Sequence, residues 1–337
     1  MKNTRFTSVL ILAAAAVMSQ AQTYAVREIS AGGQANAISG GVVGGSLNGG
    51  AILWNETGSI NMHPAGYTFS AIFGLNGNMS VGYAGTSSTA QSPLMWVGTS
   101  PTVLPVPFAY LIGRATATDG LQIVGTATEG NLERGFGASH ALLWNVADGS
   151  VVDLGKNNTV LGVGGGVQVG TKLGSKGTTA GMWRGTAASF VDLHPRSYDV
   201  SIACDTNGAV QVGYVGLDVR VRSEGRPRDI RFYSAGYWTG SATSFTYLPS
   251  PYRHTFALGI KGDTIVGYGN TSDAIGTPIA SQAAAWVGDA HDFVDLHALL
   301  PADMRTSRAT GVDEYGNIEG FGVTTSGTVR SYVWIRQ

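Results

Sequence analysis

Residues 256–269 read FALGIKGDTIVGYG; QAAAW follows at 282–286 and DFVDLH at 292–297. An apolar stretch meets a Gly-Asp turn, a Val/Ile stretch ends in glycine, a loop leads to Trp286, and an apolar-acidic-apolar stretch closes the unit. Each stretch is four to eight residues long, which suits a strand and is too short for a helix. The Lys-Gly-Asp turn tolerates the positive φ of a tight hairpin.

The unit recurs. AIFGLNGNMSVGYA (71–84) leads to SPLMW (92–96) and PTVLP (101–105), and SIACDTNGAVQVGYV (201–215) leads to SAGYW (234–238) and SFTYLP (244–249). All seven tryptophans occupy one phase of it: Trp54, Trp96, Trp144, Trp183, Trp238, Trp286 and Trp334, at intervals of 42, 48, 39, 55, 48 and 48 residues. A period of this length fits a four-stranded blade. The expectation is an all-β, seven-bladed β-propeller of four-stranded antiparallel blades. A glycine closing the second strand recurs at Gly44, Gly82, Gly125, Gly170, Gly213, Gly267 and Gly320. The loop after it varies most in length, so it belongs on one surface of the scaffold. A buried indole on each third strand would pack between neighbouring blades.

Trp334 is followed only by Ile335, Arg336 and Gln337, so the last repeat has no fourth strand of its own. YAVREIS (24–30) supplies one: Glu28 aligns with Asp153, Asp192 and Asp295, and Ile29 with the leucines beside them. The ring is therefore expected to close by an N-terminal strand pairing with the C-terminal blade. Residues 1–21 carry Lys2, Arg5 and an apolar run before Ser19-Gln20-Ala21, the pattern of a signal peptide. The apolar run is too short to span a bilayer. Residues 22–337 then form one propeller domain. Its blades are expected at about 33–66, 67–110, 111–157, 158–197, 198–252, 253–304, and 305–337 with 23–30.

These features point to a secreted or periplasmic bacterial protein, with no membrane insertion after cleavage, working as a monomer. The formal charge of −1 gives no basic footprint for nucleic acid. Cys204 is the single cysteine of the sequence, so no intrachain disulfide can form, and its strand context suggests a buried, inert thiol.

His140-Ala141-Leu142-Leu143-Trp144, with the glycine turns Gly74-Leu75-Asn76 and Gly259-Ile260, resembles the bacterial extracellular HAF-repeat family. The resemblance covers nearly all of residues 22–337. It implies a secreted, propeller-like repeat scaffold and carries no catalytic residue onto this chain.

No phosphate loop, Gly-X-Ser-X-Gly elbow, HExxH or paired CxxC occurs. No cofactor, metal or catalytic residue is expected. His63, His194 and His297 share a repeat position, but outer strands of different blades diverge and cannot share an ion. The residues 218–231 hold Arg220, Arg222, Arg226, Arg228 and Arg231 among Asp218, Glu224 and Asp229, reading as a projecting, partly self-neutralised hairpin. The expected ligand-binding residues lie in or beside the connections between blades, around the channel mouth: Tyr67, Tyr110, Arg196, Tyr198, Tyr252, Arg253, His254 and Arg308. The leading functional expectation is carbohydrate binding, or binding of a cell-envelope protein, by a non-enzymatic scaffold. An extracellular glycosidase or polysaccharide lyase using Asp199, His254 and Asp205 is the alternative, and a structural envelope component is the third.

Overall fold

The computed structural model describes residues 23–131, 135–174, 177–223 and 226–337. The expected signal peptide and Glu224 lie outside these residues. Among the described residues, twenty-eight strands account for almost all the regular structure. β1 (Tyr24–Ala31) is followed by the meander β2 (Gly33–Ser39), β3 (Val42–Leu47), β4 (Gly50–Asn55) and β5 (Gly58–Asn61). Next come β6 (Phe69–Asn76), β7 (Met79–Ser87), β8 (Ala90–Val97) and β9 (Ser100–Val103), then β10 (Tyr110–Thr118), β11 (Gln122–Asn131), β12 (Gly135–Asn145) and β13 (Val151–Lys156). β14 (Asn158–Gly164), β15 (Val167–Gly174), β16 (Gly177–Trp183) and β17 (Val191–Asp192) precede β18 (Val200–Thr206), β19 (Gln211–Ser223), β20 (Arg226–Trp238) and β21 (Thr246–Tyr247). The chain ends with β22 (His254–Lys261), β23 (Thr264–Ser272), β24 (Pro278–Val287), β25 (Asp292–Asp295), β26 (Met304–Val312), β27 (Ile318–Thr324) and β28 (Val329–Arg336).

The sheets pack face to face in sequence, and β2 packs back onto β26, β27 and β28, so the propeller is a closed ring. The backbone pairing corrects the expectation of seven separate four-stranded blades. Five four-stranded blades stand alone, and β6 to β13 form one eight-stranded sheet. The two meanders of that sheet join through a parallel bridge between Gln91 and Ile112. A Cβ on Gly113 would stand 2.6 Å from Pro93 Cδ, so glycine permits the approach. Arg114 Nε then donates across the join to Gln91 Oε1 at 2.7 Å.

β1 pairs antiparallel with β28, from Tyr24 opposite Arg336 to Ala31 opposite Arg330. Glu28 lies opposite Tyr332, two residues before Trp334. Asp153, Asp192 and Asp295 lie opposite Leu142, Gly181 and Ala284, each also two residues before a tryptophan. The N-terminal strand thus takes the register of an ordinary fourth strand. Gly32, at φ 85°, is the single residue between this outer strand and the inner strand β2.

Each inner strand carries a β-bulge in the same place. The register slips between Ala35 and Ala37, Ile72 and Gly74, Ala115 and Ala117, and Val160 and Gly162. It slips again between Ala203 and Asp205, Ala257 and Gly259, and Ala309 and Gly311. The recurring glycine is the counterpart of the bulge. A Cβ on Gly45, Gly82, Gly125, Gly170, Gly213, Gly267 or Gly320 would lie 1.8–2.1 Å from a carbonyl oxygen of the inner strand. Two sequence readings change. The first of these glycines is Gly45, not Gly44, and they stand within the second strand, since β7 runs on to Ser87 and β19 to Ser223.

All seven tryptophans are buried. Trp96 Nε1 donates to Met62 O (3.0 Å), Trp144 to Pro105 O (2.6 Å), Trp286 to Pro249 O (2.6 Å) and Trp334 to Leu296 O (3.0 Å). Each acceptor lies just past the outer strand of the preceding repeat. These four indoles fill the apolar layer between repeats and tie them through their one donor, whereas Trp183 and Trp238 bury Nε1 with no hydrogen-bond partner among the described residues. No helix among the described residues is long and apolar enough to cross a membrane.

The bulge makes a direct prediction. Gly267→Ala puts a methyl 1.8 Å from Phe256 O, whereas Gly174→Ala meets nothing nearer than 4.0 Å. Thermal unfolding should show Gly267→Ala less stable by about 3 kcal/mol or more, at the upper end of overpacking costs, and Gly174→Ala close to the parent. Equal melting of the two variants would contradict the packing argument.

Candidate functional site

The bulges decide what faces the axis. Asn36, Phe73, Thr116, Leu161, Cys204, Leu258 and Thr310, the extra residues of the bulges, form one tier around a central cavity of about 760 Å³. Two residues further along each strand, Ile38, Leu75, Thr118, Val163, Thr206, Ile260 and Val312 form a second tier. The cavity extends to the turns between first and second strands, at Asp119, Gly165, Gly166, Asn207 and Gly262. In an antiparallel meander those turns lie on the face opposite the connections between repeats. None of the eight residues expected at the channel mouth lines this cavity.

Two of the eight come together on the other face. Arg196 and Tyr198 line a groove of about 910 Å³ with Gly177, Thr178, His194, Asp199, Val200, Asp218 and Arg231. Its wall is the base of the long β19–β20 hairpin. Arg231 clasps Asp218 through two bonds of 2.7 Å, and the Asp218 N–H donates to Asp199 Oδ2 at 2.7 Å. The Arg231 guanidinium holds the Asp218 carboxyl below the usual range. Tyr198 and Tyr247 share a hydroxyl–hydroxyl hydrogen bond. Burial first, and then that bond, push the Tyr198 phenol up to about 12, so it stays protonated at neutral pH. Arg196 is exposed and forms no ion pair among the described residues. The groove therefore presents the Arg196 guanidinium and the Tyr198 phenol, with the Asp199 carboxylate also on its wall.

The other six serve packing. Tyr67 packs against the cluster around Trp96, and Tyr110 against that around Trp144. Tyr252 donates to Gln282 Oε1 at 2.5 Å, and Arg253 Nη1 to Ala274 O at 3.3 Å. His254, expected at the channel mouth, is 0% exposed. Its ring stacks on Phe232 at 5.1 Å, and Nε2 donates to Gly276 O at 2.6 Å. Arg308 lies over the Tyr268 ring at 4.5 Å, a cation–π contact to the preceding repeat.

The three in-phase histidines are latches. His63 Nδ1 lies 2.8 Å from Ser70 Oγ, His194 Nδ1 2.8 Å from Ser201 Oγ, and His297 Nδ1 2.7 Å from Ser307 Oγ. Each serine, on the next repeat's inner strand, accepts a backbone N–H three residues before a tryptophan: Ala51, Ala180 and Ala283. Thr255 receives the Ala235 N–H in the same way. Sequence reasoning missed these serines, although their recurrence seven to ten residues after the histidine is visible. The outer-strand acids have local work too, since Asp192 Oδ1 accepts the His194 N–H and Asp295 Oδ1 the Ala298 N–H. His140, the motif histidine, spans Asp153 (2.6 Å) and Glu129 (3.0 Å). Lys156 foremost, with His140 adding to it, holds the Glu129 carboxyl below its usual range.

Asp199, His254 and Asp205 do not converge: one lies in the groove, one is buried behind Phe232, and one lines the central cavity. No group of three or more His, Cys, Asp or Glu able to hold a metal occurs among the described residues. Cys204 borders the cavity, and enclosure by protein, with Asp205 beside it, pushes its thiol up to about 12. Glu319 stands where other repeats place Val81, Val124, Val169, Val212 and Val266, and it is fully buried. Its carboxyl meets Thr310 Oγ1 at 2.8 and 2.9 Å, and burial pushes it up to about 8.

No family model matches the chain, and no curated protein matches it. Solved structures do. The β-propeller domain of the Trilobed protease from Pyrococcus furiosus is similar over 80% of this chain and 82% of that one, at 13% identity and a TM-score of 0.53. The tricorn protease is similar over 93% of this chain, at 8% identity and a TM-score of 0.57, and the chain spans 34% of that protein. At such identities the likeness establishes the β-propeller fold alone.

Glu319 gives a pH test. Its folded-state value lies above the ordinary 4.5, so its burial is best tolerated below about pH 4.5, and stability is lost as pH rises through 8. Glu319→Gln removes the titration. Its melting temperature should fall less than the parent's between pH 6 and pH 9; parallel declines would show that the Glu319 carboxyl is already ionised in the fold by pH 6, its proton affinity not raised.

Proposed function

We propose that this chain is an exported, non-enzymatic β-propeller scaffold that binds an acidic glycan in the groove holding Arg196 and Tyr198. The observation that carries the reading is the exposed Arg196 guanidinium, in no ion pair among the described residues, in a groove that Tyr198 also lines. A guanidinium fork matches a sugar carboxylate, and phenol rings suit sugar faces and hydroxyls. The basic start and apolar run of residues 1–21 support export, and the HAF-repeat resemblance supports a secreted scaffold. Against a glycosidase or lyase stands the scatter of Asp199, His254 and Asp205, since paired acids must flank one bond within about 10 Å.

Calorimetric titration with uronate-containing oligosaccharides tests the proposal. The parent should bind and leave the sugar intact, and Arg196→Ala should bind at least about tenfold more weakly, the value of one charge-assisted contact. Equal binding by Arg196→Ala would remove the groove from the account. Cleavage of the sugar, lost in Asp199→Asn, would replace the scaffold by an enzyme.

A further inference from the structure

The position after each bulge is small in six repeats: Ala37, Gly74, Ala117, Gly162, Gly259 and Gly311. The remaining one is Asp205. It lies on the wall of the central cavity, enclosed by the ring of inner strands. The neighbouring repeat makes room for it, because a Cβ on Gly162 would stand 2.7 Å from Asp205 Oδ1. Asp205 Oδ2 accepts the Ile260 N–H at 3.0 Å. No cation forms an ion pair with this carboxylate among the described residues. Lys261, exposed at the cavity's edge, is near enough to lower its proton affinity but makes no such pair.

The hydroxyls around it have spent their protons. Thr116 Oγ1 donates to Val160 O (2.9 Å), Thr118 Oγ1 to Gln122 O (2.9 Å), Thr206 Oγ1 to Val210 O (2.8 Å) and Thr310 Oγ1 to Glu319 Oε1 (2.8 Å). A hydroxyl has one hydrogen, so these side chains have acceptor capacity left and no donor, the capacity being smaller at Thr118 and Thr206, which already accept the Gly120 and Gly208 N–H. Asn36 is engaged on both sides, giving one Nδ2 hydrogen to Ile72 O at 2.9 Å and accepting from Gln34 Nε2 at 3.1 Å. The result is a partly open central space in which these hydroxyls stand around the Asp205 carboxylate, with Asp119 at a turn on its rim. Such a surface complements a ligand that brings several N–H donors and a positive charge. A charge buried without a partner is costly, and a ligand cation relieves that cost.

We propose that the central cavity binds a small organic cation through a primary ammonium group seated on Asp205. The volume, about 760 Å³, lies within the range of small-molecule sites. Burial pushes the Asp205 carboxyl up to about 6, offset in part by the N–H bonds of Ile260 and Thr206 and by Lys261, so it is ionised at neutral pH and able to receive a cation. This site is independent of the groove on the opposite face.

The test is calorimetric titration of the full chain with 1,4-diaminobutane, with butane-1,4-diol as the uncharged control. The parent should bind the diamine and not the diol. Asp205→Asn keeps an acceptor for the Ile260 N–H and should weaken diamine binding at least tenfold. Asp205→Ala restores the small residue of the other repeats, so it should fold and should also lose the diamine. Arg196→Ala should bind the diamine like the parent, which separates this proposal from the glycan groove. A parent that ignores the diamine, takes up the diol equally, or binds as well with Asn or Ala at 205 overturns the assignment.

Discussion

The pairing of Tyr24–Ala31 with Val329–Arg336 holds the rest of the molecule in place. A sheet that ends in an unpaired strand exposes a row of backbone donors and acceptors. Here the two ends of the chain supply those groups to each other. Ser331 sews the junction further, accepting the Ala35 N–H and donating to Gly33 O, each at 2.9 Å. The Gly41 N–H reaches Asp313 Oδ2 at 3.0 Å across the same seam. The inner strands of the ring face one axis, and the cavity and the order of residues around it follow from that arrangement.

Within the ring, three devices repeat with the sequence. The bulge and its facing glycine set the inner strand's twist and aim an extra residue at the axis. The indole fills the apolar layer, and at Trp96, Trp144, Trp286 and Trp334 it donates to the previous repeat. The His–Ser pair links the outer end of one repeat to the inner strand of the next. Some positions depart from the repeat pattern. Asp205 among glycines and alanines, Glu319 among valines, and the 13-residue strands β19 and β20 are such departures.

Much of this was legible in the primary structure. Tryptophan spacing gave the repeat and the propeller class, and the alignment of Glu28 with Asp153, Asp192 and Asp295 gave the closing register. The merger of β6 to β13 was hidden, because one parallel bridge between Gln91 and Ile112 depends on how closely two meanders approach. Gly44 and Gly45 are adjacent glycines, and only the carbonyl of Gln34 distinguishes them. The expected ligand residues scattered for a common reason. Connections between repeats must lock neighbouring blades, so tyrosine, histidine and arginine there are drawn into packing, as Tyr67, His254 and Arg308 show. Asp205 carried a readable signal, the single acid in a column of small residues, but the column appears only once the bulges are aligned.

Closure can be measured without any ligand. In native-state hydrogen exchange, deletion of residues 23–30 should strip protection from the β28 amides that pair with β1 and lower the melting temperature of the whole domain cooperatively. A truncated chain that keeps parental protection in Val329–Arg336 and melts with the parent would contradict the closed ring.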